Sequence, residues 1–513
     1  MLAREAPYAK GRLVLVRHDR KKESPMSSTV ATHQAGAPAK ADSTEYDVVV
    51  LGAGPVGENV ADRTRAAGLS TAIVESELIG GECSYWACMP SKALLRPAIA
   101  RADARRVPGL RQLVRGDLDA AAVLAHRDHY TSHWKDDGQV GWLENIGADI
   151  YRGHGRLSGP RAVTVTGPDG EQHILTARHA VAVCTGSRAQ LPDLPGLADV
   201  RPWTSREATS SRTVPGRLVV VGGGVVATEL ATAWQALGSQ VTVLVRGKGL
   251  LPRMESFAGE LVAEALSEAG AEIRTGTSVA SVARENGTVV VTTDTGDHFE
   301  ADEILFATGR APRTDDIGLE TVGVEPGSWL SVDDSLLVTG TDWLYAVGDV
   351  NHRALLTHQG KYQARIAGAA IAARAQGTPL LEPGPWGAHA ATADHAAVPQ
   401  VVFTDPEAAA AGLTFAEAQQ AGHRARAVDV EFSSVAGAGL YADGYRGRAR
   451  MVVDLDSETL LGVTFVGPGV GELVHSATIA IAGQVPVSRL WHAVPSYPTI
   501  SEVWLRLLET YRG

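Results

Sequence analysis

The chain has 513 residues, 44% hydrophobic and 20% charged, with 58 acidic against 47 basic side chains. That length suggests roughly three or four domains, and the net charge of −11, without a basic stripe anywhere, argues against nucleic acid as a partner. Three cysteines are too few for a secreted disulfide scaffold, and no apolar run is long enough to span a bilayer.

Residues 1–45 are basic and rich in Ser, Ala and Pro, with Arg20-Lys21-Lys22 near the middle and no apolar signal-peptide region. They are expected to form a disordered extension, a basic targeting arm being the alternative. Met26 is a candidate start, because the globular pattern begins only at Tyr46. From Tyr46 to Leu51 the chain reads as a buried strand of a parallel sheet. Gly52, Gly54 and Gly57 follow in Gly-x-Gly-x-x-Gly spacing, then a helix to about Gly68 and a second strand from Thr71 ending at Glu75. This is the βαβ dinucleotide fingerprint. Its glycines permit the turn, the approach of the pyrophosphate and the packing of helix on strand. The helix N-terminus faces the phosphates and the acid faces a ribose. The same unit recurs with a strand Arg217–Val221, the turn Gly222-Gly223-Gly224, Ala227 at the third position, a helix to about Leu237 and a strand Gln240–Val245. Two such folds imply two bound dinucleotides.

Shortly after the first fold come Gly80-Gly81-Glu82-Cys83-Ser84-Tyr85-Trp86-Ala87-Cys88-Met89-Pro90-Ser91-Lys92. Two cysteines beside a redox cofactor can store an electron pair. A buried cysteine pair and half of a zinc site are the alternatives. A zinc site needs four ligands, and the only other cysteine is Cys184. A thiolate is the reactive form, and a helix starting near Pro90 supplies an electropositive end.

These motifs resemble the flavoprotein disulfide reductases, the family of dihydrolipoamide dehydrogenase, glutathione reductase and mercuric reductase. The resemblance runs from about Tyr46 to Glu509. It takes in Cys184-Thr185-Gly186-Ser187 and Ala307-Thr308-Gly309-Arg310, which match motifs closing the two nucleotide domains, and Leu344–Asp349, which matches the second FAD motif. It implies an α/β fold of two Rossmann-like domains plus an α+β C-terminal dimerisation domain. The implied division is FAD-binding over 46–200 and 311–385, NAD(P)-binding over 201–310, and dimerisation over 395–513, with Glu382–His395 as a linker. The implied FAD ligands are Gly52, Gly54, Gly57, Glu75, Gly155, Gly186 and Asp349. Gly222, Gly224 and Arg246 go to the nicotinamide nucleotide, and Gly309 and Arg310 are also implied to bind cofactor. Cys88 is implied to lie against the flavin and Cys83 to exchange with substrate, with Lys92 and Glu229 paired beside the flavin. Cys184, in an Ala position, is expected to be small, buried and inert.

The second fingerprint lacks the acid that would bind the ribose 2′-hydroxyl of NAD. Val245 stands there, followed by Arg246, Lys248 and Arg253, and cations suit a 2′-phosphate. NADPH is therefore expected over NADH. Near the C-terminus, thiol-reducing relatives carry His-Pro-Thr-x-x-Glu, where this chain has Tyr497-Pro498-Thr499-Ile500-Ser501-Glu502. A phenol titrating near about 10 does not readily cycle protons at neutral pH, and His492 is expected to be structural. Tyr85 and Trp86 are bulkier than the residues usual between the cysteines and are expected to fill core volume or narrow the approach to Cys83. The expectation is a cytoplasmic homodimer with a shared active site, no metal, no membrane and no nucleic acid. It would pass electrons from NADPH through FAD and Cys83–Cys88 to a small-molecule acceptor. A metal-ion or quinone reductase, a flavin-bound subunit of a larger complex and a redox sensor are the alternatives.

Overall fold

The computed structural model describes residues 43–380 and 384–513. The extension and Met26 lie outside these residues, except that the first strand, Ser43–Leu51, begins ahead of Tyr46. It pairs in parallel with Thr71–Glu75 on one side and Gln172–Val183 on the other. Val48, Val49 and Val50 are fully buried, as a strand covered on both faces requires. Asp149–Arg152 and Leu344–Ala346 extend the parallel sheet, and an antiparallel hairpin, His154–Gly159 with Ala162–Thr166, completes its seven strands. The helices Pro55–Ala66 and Thr357–Ala375 pack against each other on this sheet.

The second parallel sheet runs in the order Glu272–Thr275, Gln240–Val245, Arg217–Val221, Glu303–Phe306. A three-stranded antiparallel sheet over 279–301 packs beside it, sharing a core of Val219, Leu244, Val291 and Phe306. Ser187–Ala189 pairs with Arg310–Pro312, so the two segments that leave the nucleotide domains are tied into one ribbon. The C-terminal region is a five-stranded antiparallel sheet backed by helices Val474–Ala482 and Val503–Arg512. The expected α/β architecture with an α+β C-terminal domain is thus observed.

The segment read as a linker behaves differently. Among its described residues, Asp394 is buried and accepts hydrogen bonds from Gln359 (2.8 Å) and Gln363 (2.9 Å) of the helix Thr357–Ala375. A paired, desolvated carboxylate pins this stretch to the first domain. Among the described residues no helix is long and apolar enough to cross a membrane.

Candidate active site

The first fingerprint is shaped by steric exclusion. Gly52 has φ of +95°, and a Cβ there would meet the carbonyl oxygen of Cys184 at 2.6 Å. A Cβ on Gly57 would sit 1.9 Å from the Gly52 oxygen, so only glycine lets helix and strand approach this closely. The second domain repeats the device, with a Gly222 Cβ only 2.4 Å from the Ala307 oxygen. In both domains the first residue of the closing motif abuts the first glycine of the fingerprint. Gly54 and Gly224 start their helices in extended conformation without side-chain caps, leaving first-turn N–H groups for an anion.

Gly52, Gly54, Glu75, Gly155, Gly186 and Asp349 line one cavity of about 370 Å³. Glu75 accepts from the Ala53 N–H (2.7 Å) and the Glu77 N–H (2.8 Å), and each oxygen keeps a lone pair for a ribose hydroxyl. Burial holds its carboxyl above the usual range. Asp349 accepts from the Ser187 hydroxyl, which itself accepts from the Arg310 guanidinium at 2.6 Å. Gly186 has φ of +72° and faces open space, so a side chain there would intrude on the cavity. Free helix-end N–H groups, an acid with lone pairs to spare and glycines along the wall fit a dinucleotide such as FAD. Arg310, expected to bind cofactor, lines this same cavity, while Gly309 has φ of +146° beside Gln190.

The cysteines are unbridged. A helix begins at Cys88 itself and runs to Arg106, two residues ahead of the expected start at Pro90, so the thiol sits on the positive end of the helix. The Cys88 sulfur is 3.3 Å from the Thr357 hydroxyl. Cys88 is pushed down to about 6, chiefly by the Cys83 thiol and, against burial, by Thr357 and Lys92. Cys83 is pushed up by its contact with Cys88 and by burial. The pair therefore shares one proton, with thiolate character on Cys88 and thiol character on Cys83. Cys83 and Thr357 belong to the cavity wall, which Cys88 meets through Thr357. Lys92 donates to Glu229 at 2.7 Å, and the buried Glu229 also accepts the Phe403 N–H at 3.0 Å. Cys184 is buried and its thiol is pushed up by desolvation, as expected of an inert residue.

Tyr85 is a core residue, its hydroxyl donating to the Ile79 carbonyl at 3.0 Å, so it does not narrow the approach to Cys83. Trp86 lies under Arg206, whose guanidinium is 4.2 Å from the ring centre. Arg246, Lys248 and Arg253 are exposed and form no ion pair among the described residues. The first two lie in the loop that follows Val245, and the Gly249 oxygen comes within 3.2 Å of where a Gly223 Cβ would be. Tyr497 is 76% exposed, His492 is exposed, and the buried Glu502 accepts the Gly437 N–H at 3.2 Å. Neither Tyr497 nor Glu502 lines the cavity within one chain. Sequence reasoning missed Thr357, Glu82, Arg206 and Arg313. A carboxylate immediately before Cys83 was the available signal for the last three.

The pyridine nucleotide-disulphide oxidoreductase family model matches residues 46–377, and the dimerisation-domain model of the same family matches residues 398–507. Among curated proteins, the dihydrolipoyl dehydrogenase of Haloferax volcanii is 31% identical over 488 residues, covering 92% of this chain and 97% of that protein. The mercuric reductase of Acidithiobacillus ferrooxidans is 32% identical over 471 residues, covering 91% of this chain and 83% of that protein. Of solved structures, the Cu(II) complex of an HOCl-induced flavoprotein disulfide reductase from Escherichia coli superposes with a TM-score of 0.77 at 22% identity, covering 91% of this chain and 99% of that one. LpdA of Mycobacterium tuberculosis gives 0.76 at 24%, with coverage of 91% and 99%. This chain belongs to the pyridine nucleotide-disulphide oxidoreductase family. It is an oxidoreductase of a FAD-dependent family that uses NAD(P)H, and it carries that family's dimerisation domain.

Proposed function

We propose that the enzyme carries electrons from NADPH, by way of FAD, to the Cys83–Cys88 pair and on to a small-molecule acceptor. The observation that carries this reading is a pair of cysteines, Cys88 at a helix N-terminus and Cys83 at the wall of a cavity built from a dinucleotide fingerprint. FAD, when bound, takes a hydride from the nicotinamide nucleotide and makes its electron pair available to the disulfide. Breaking the S–S bond consumes two electrons and one proton. Cys88 is the thiolate that results, held by its helix end, Thr357 and Lys92, and Cys83 takes the proton. Glu229 keeps Lys92 in place. Cys83 then loses its proton to attack a disulfide or to ligate a metal ion.

The exposed cations Arg246 and Lys248, one loop beyond the second fingerprint, support NADPH over NADH. Gly222, Gly224 and Gly309 belong to that nucleotide in this reading, and the domain boundaries are those set out above. Tyr497 and Glu502 are assigned to the partner's active site in a homodimer. The support is the exposure of Val494, Tyr497 and Ile479 on the region matched by the dimerisation model. A cytoplasmic setting suits a dithiol that NADPH must keep reducing. Dihydrolipoyl dehydrogenases and mercuric reductases are both relatives, and Tyr497 in place of an imidazole favours a metal ion or quinone over lipoamide as acceptor. Anaerobic reduction by NADPH should give a long-wavelength charge-transfer band that Cys88→Ser abolishes and Cys83→Ser keeps. The reverse pattern would exchange the roles of the two thiols.

A further inference from the structure

Glu82 immediately precedes Cys83, and a carboxylate there is a poor neighbour for a thiol that must ionise. Its negative charge disfavours the thiolate. The fold answers it with two arginines. Arg206 donates to Glu82 at 2.6 Å from the helix Ser205–Ser210, and Arg313 donates to it at 3.0 Å from the segment after the ribbon strand Arg310–Pro312. Arg206 also holds Glu77 through both of its terminal nitrogens, at 3.0 and 2.6 Å, and keeps that carboxyl below its usual range. Its guanidinium stacks over Trp86, and Thr209, one turn along the same helix, donates to the Trp86 carbonyl at 3.0 Å. The redox loop is thus gripped at Glu82, before Cys83, and at Trp86, before Cys88, by one short helix. Glu82, Cys83, Arg206 and Arg313 all line the same cavity.

We propose that Arg206 is a positioning residue of the redox loop, which neutralises Glu82 beside Cys83 and so sets the pH at which Cys83 becomes a reactive thiolate. The inference rests on the reading of Cys83 as the exchanging thiol. Two acids, Glu77 and Glu82, face two arginines, Arg206 and Arg313, while Asp349 also acts on Glu82 and Asp315 on Arg313. Removing Arg206 makes the cluster more negative by one charge, and removing the Glu82 charge makes it more positive by one. The groups that act most strongly on Cys83 are Cys88 on the following helix, and Thr357 and Lys361 on the helix Thr357–Ala375. Lys92 and Glu229 act on Cys88. None of these residues is itself replaced in the Arg206 or Glu82 variants. The grip on Trp86 is separable from the charge, since Arg206→Lys keeps the cation and loses the guanidinium over the ring and the forked contact with Glu77.

The test is alkylation of the NADPH-reduced, FAD-loaded full-length protein by iodoacetamide as a function of pH, with the adduct located by peptide mass mapping. Arg206→Gln should raise the midpoint for Cys83 alkylation, and the reaction at neutral pH should slow about tenfold for every pH unit by which the midpoint rises. Glu82→Gln should lower the midpoint, and the double variant should return toward the parent. Arg206→Lys should keep the parent midpoint. Midpoints that move in the same direction in both single variants, or that do not move, would overturn the inference while leaving Cys83 as the exchanging thiol. Alkylation at Cys88 in the parent protein would overturn that assignment and this inference together. If Arg206→Gln fails to fold, the lowered midpoint in Glu82→Gln still decides: its absence overturns the inference.

Discussion

Replacing Lys92 by Met should raise the pH at which Cys88 ionises and also destabilise the protein, and the two effects come from different halves of one ion pair. Lys92 stands one turn from Cys88 and draws its thiol down, while Glu229 pushes it up. With Cys88 titrating at about 6, about ten thiolates stand against one thiol at pH 7. A midpoint higher by about one pH unit would bring that ratio near one and remove about half of the charge-transfer band at neutral pH. The same substitution leaves Glu229, whose side chain is 4% exposed, with only the Phe403 N–H. Breaking a fully buried pair costs about 3–5 kcal/mol. Lys92 is 36% exposed, so water shares in its partner's solvation, and about 1–3 kcal/mol is expected. Glu229→Gln should instead lower the Cys88 midpoint, because Lys92 is then unopposed. The sign for folding follows from the same depression. The ordinary thiol value of 9.0 is the unfolded reference, so stabilisation from the Cys88 thiolate is full above it and is lost as pH falls through about 6. The assays are band intensity against pH in the NADPH-reduced protein and urea unfolding of each variant. Midpoints displaced in the same direction by Lys92→Met and Glu229→Gln would refute the electrostatic reasoning.

Gly57→Ala forces a Cβ to within 1.9 Å of the Gly52 oxygen. It should cost at least about 2 kcal/mol by overpacking and yield protein depleted in flavin, read from the ratio of flavin to protein absorbance. Gly224→Ala meets no atom within 4 Å, so it should fold normally and weaken only nicotinamide-nucleotide binding, read as a raised KM. Arg246→Glu should shift kcat/KM toward NADH, and an unchanged ratio would make this cation a plain surface charge. Tyr497→His should raise turnover on a small disulfide, where acid–base assistance is typically worth about 10²–10⁴-fold, and leave flavin reduction by NADPH unchanged. High parent turnover on lipoamide, indifferent to Tyr497→Phe, would contradict the view that this position turns the enzyme away from disulfides.

Local signals carried the fold a long way. The strands Arg217–Val221 and Gln240–Val245 fall where the apolar runs place them, because a strand buried on both faces writes an uninterrupted hydrophobic stretch. The glycine fingerprints were legible because the turns leave no room for a side chain. The helix start at Cys88 was not. Its cap, Ala87, has no side-chain acceptor, so no capping signature marks it. The docking of the supposed linker was hidden because Asp394 finds Gln359 and Gln363 only in three dimensions. The clasp on Glu82 was hidden for the same reason, as Arg206 lies 124 residues away. Tyr497 is a different case. Its motif is readable, but the side chain is exposed in one chain, and the setting proposed for it lies in the second.

In the mechanism proposed above, Cys83 and Cys88 form a redox couple that stores an electron pair in addition to the flavin. Anaerobic titration of the oxidised, FAD-loaded protein with dithionite tests it directly by counting electrons per flavin. The parent should take up two electron pairs before the flavin is fully bleached, and Cys83→Ser and Cys88→Ser should each take up one, since disulfide reduction is a two-electron event. Uptake of a single pair by the parent, equal to that of both variants, would contradict the account.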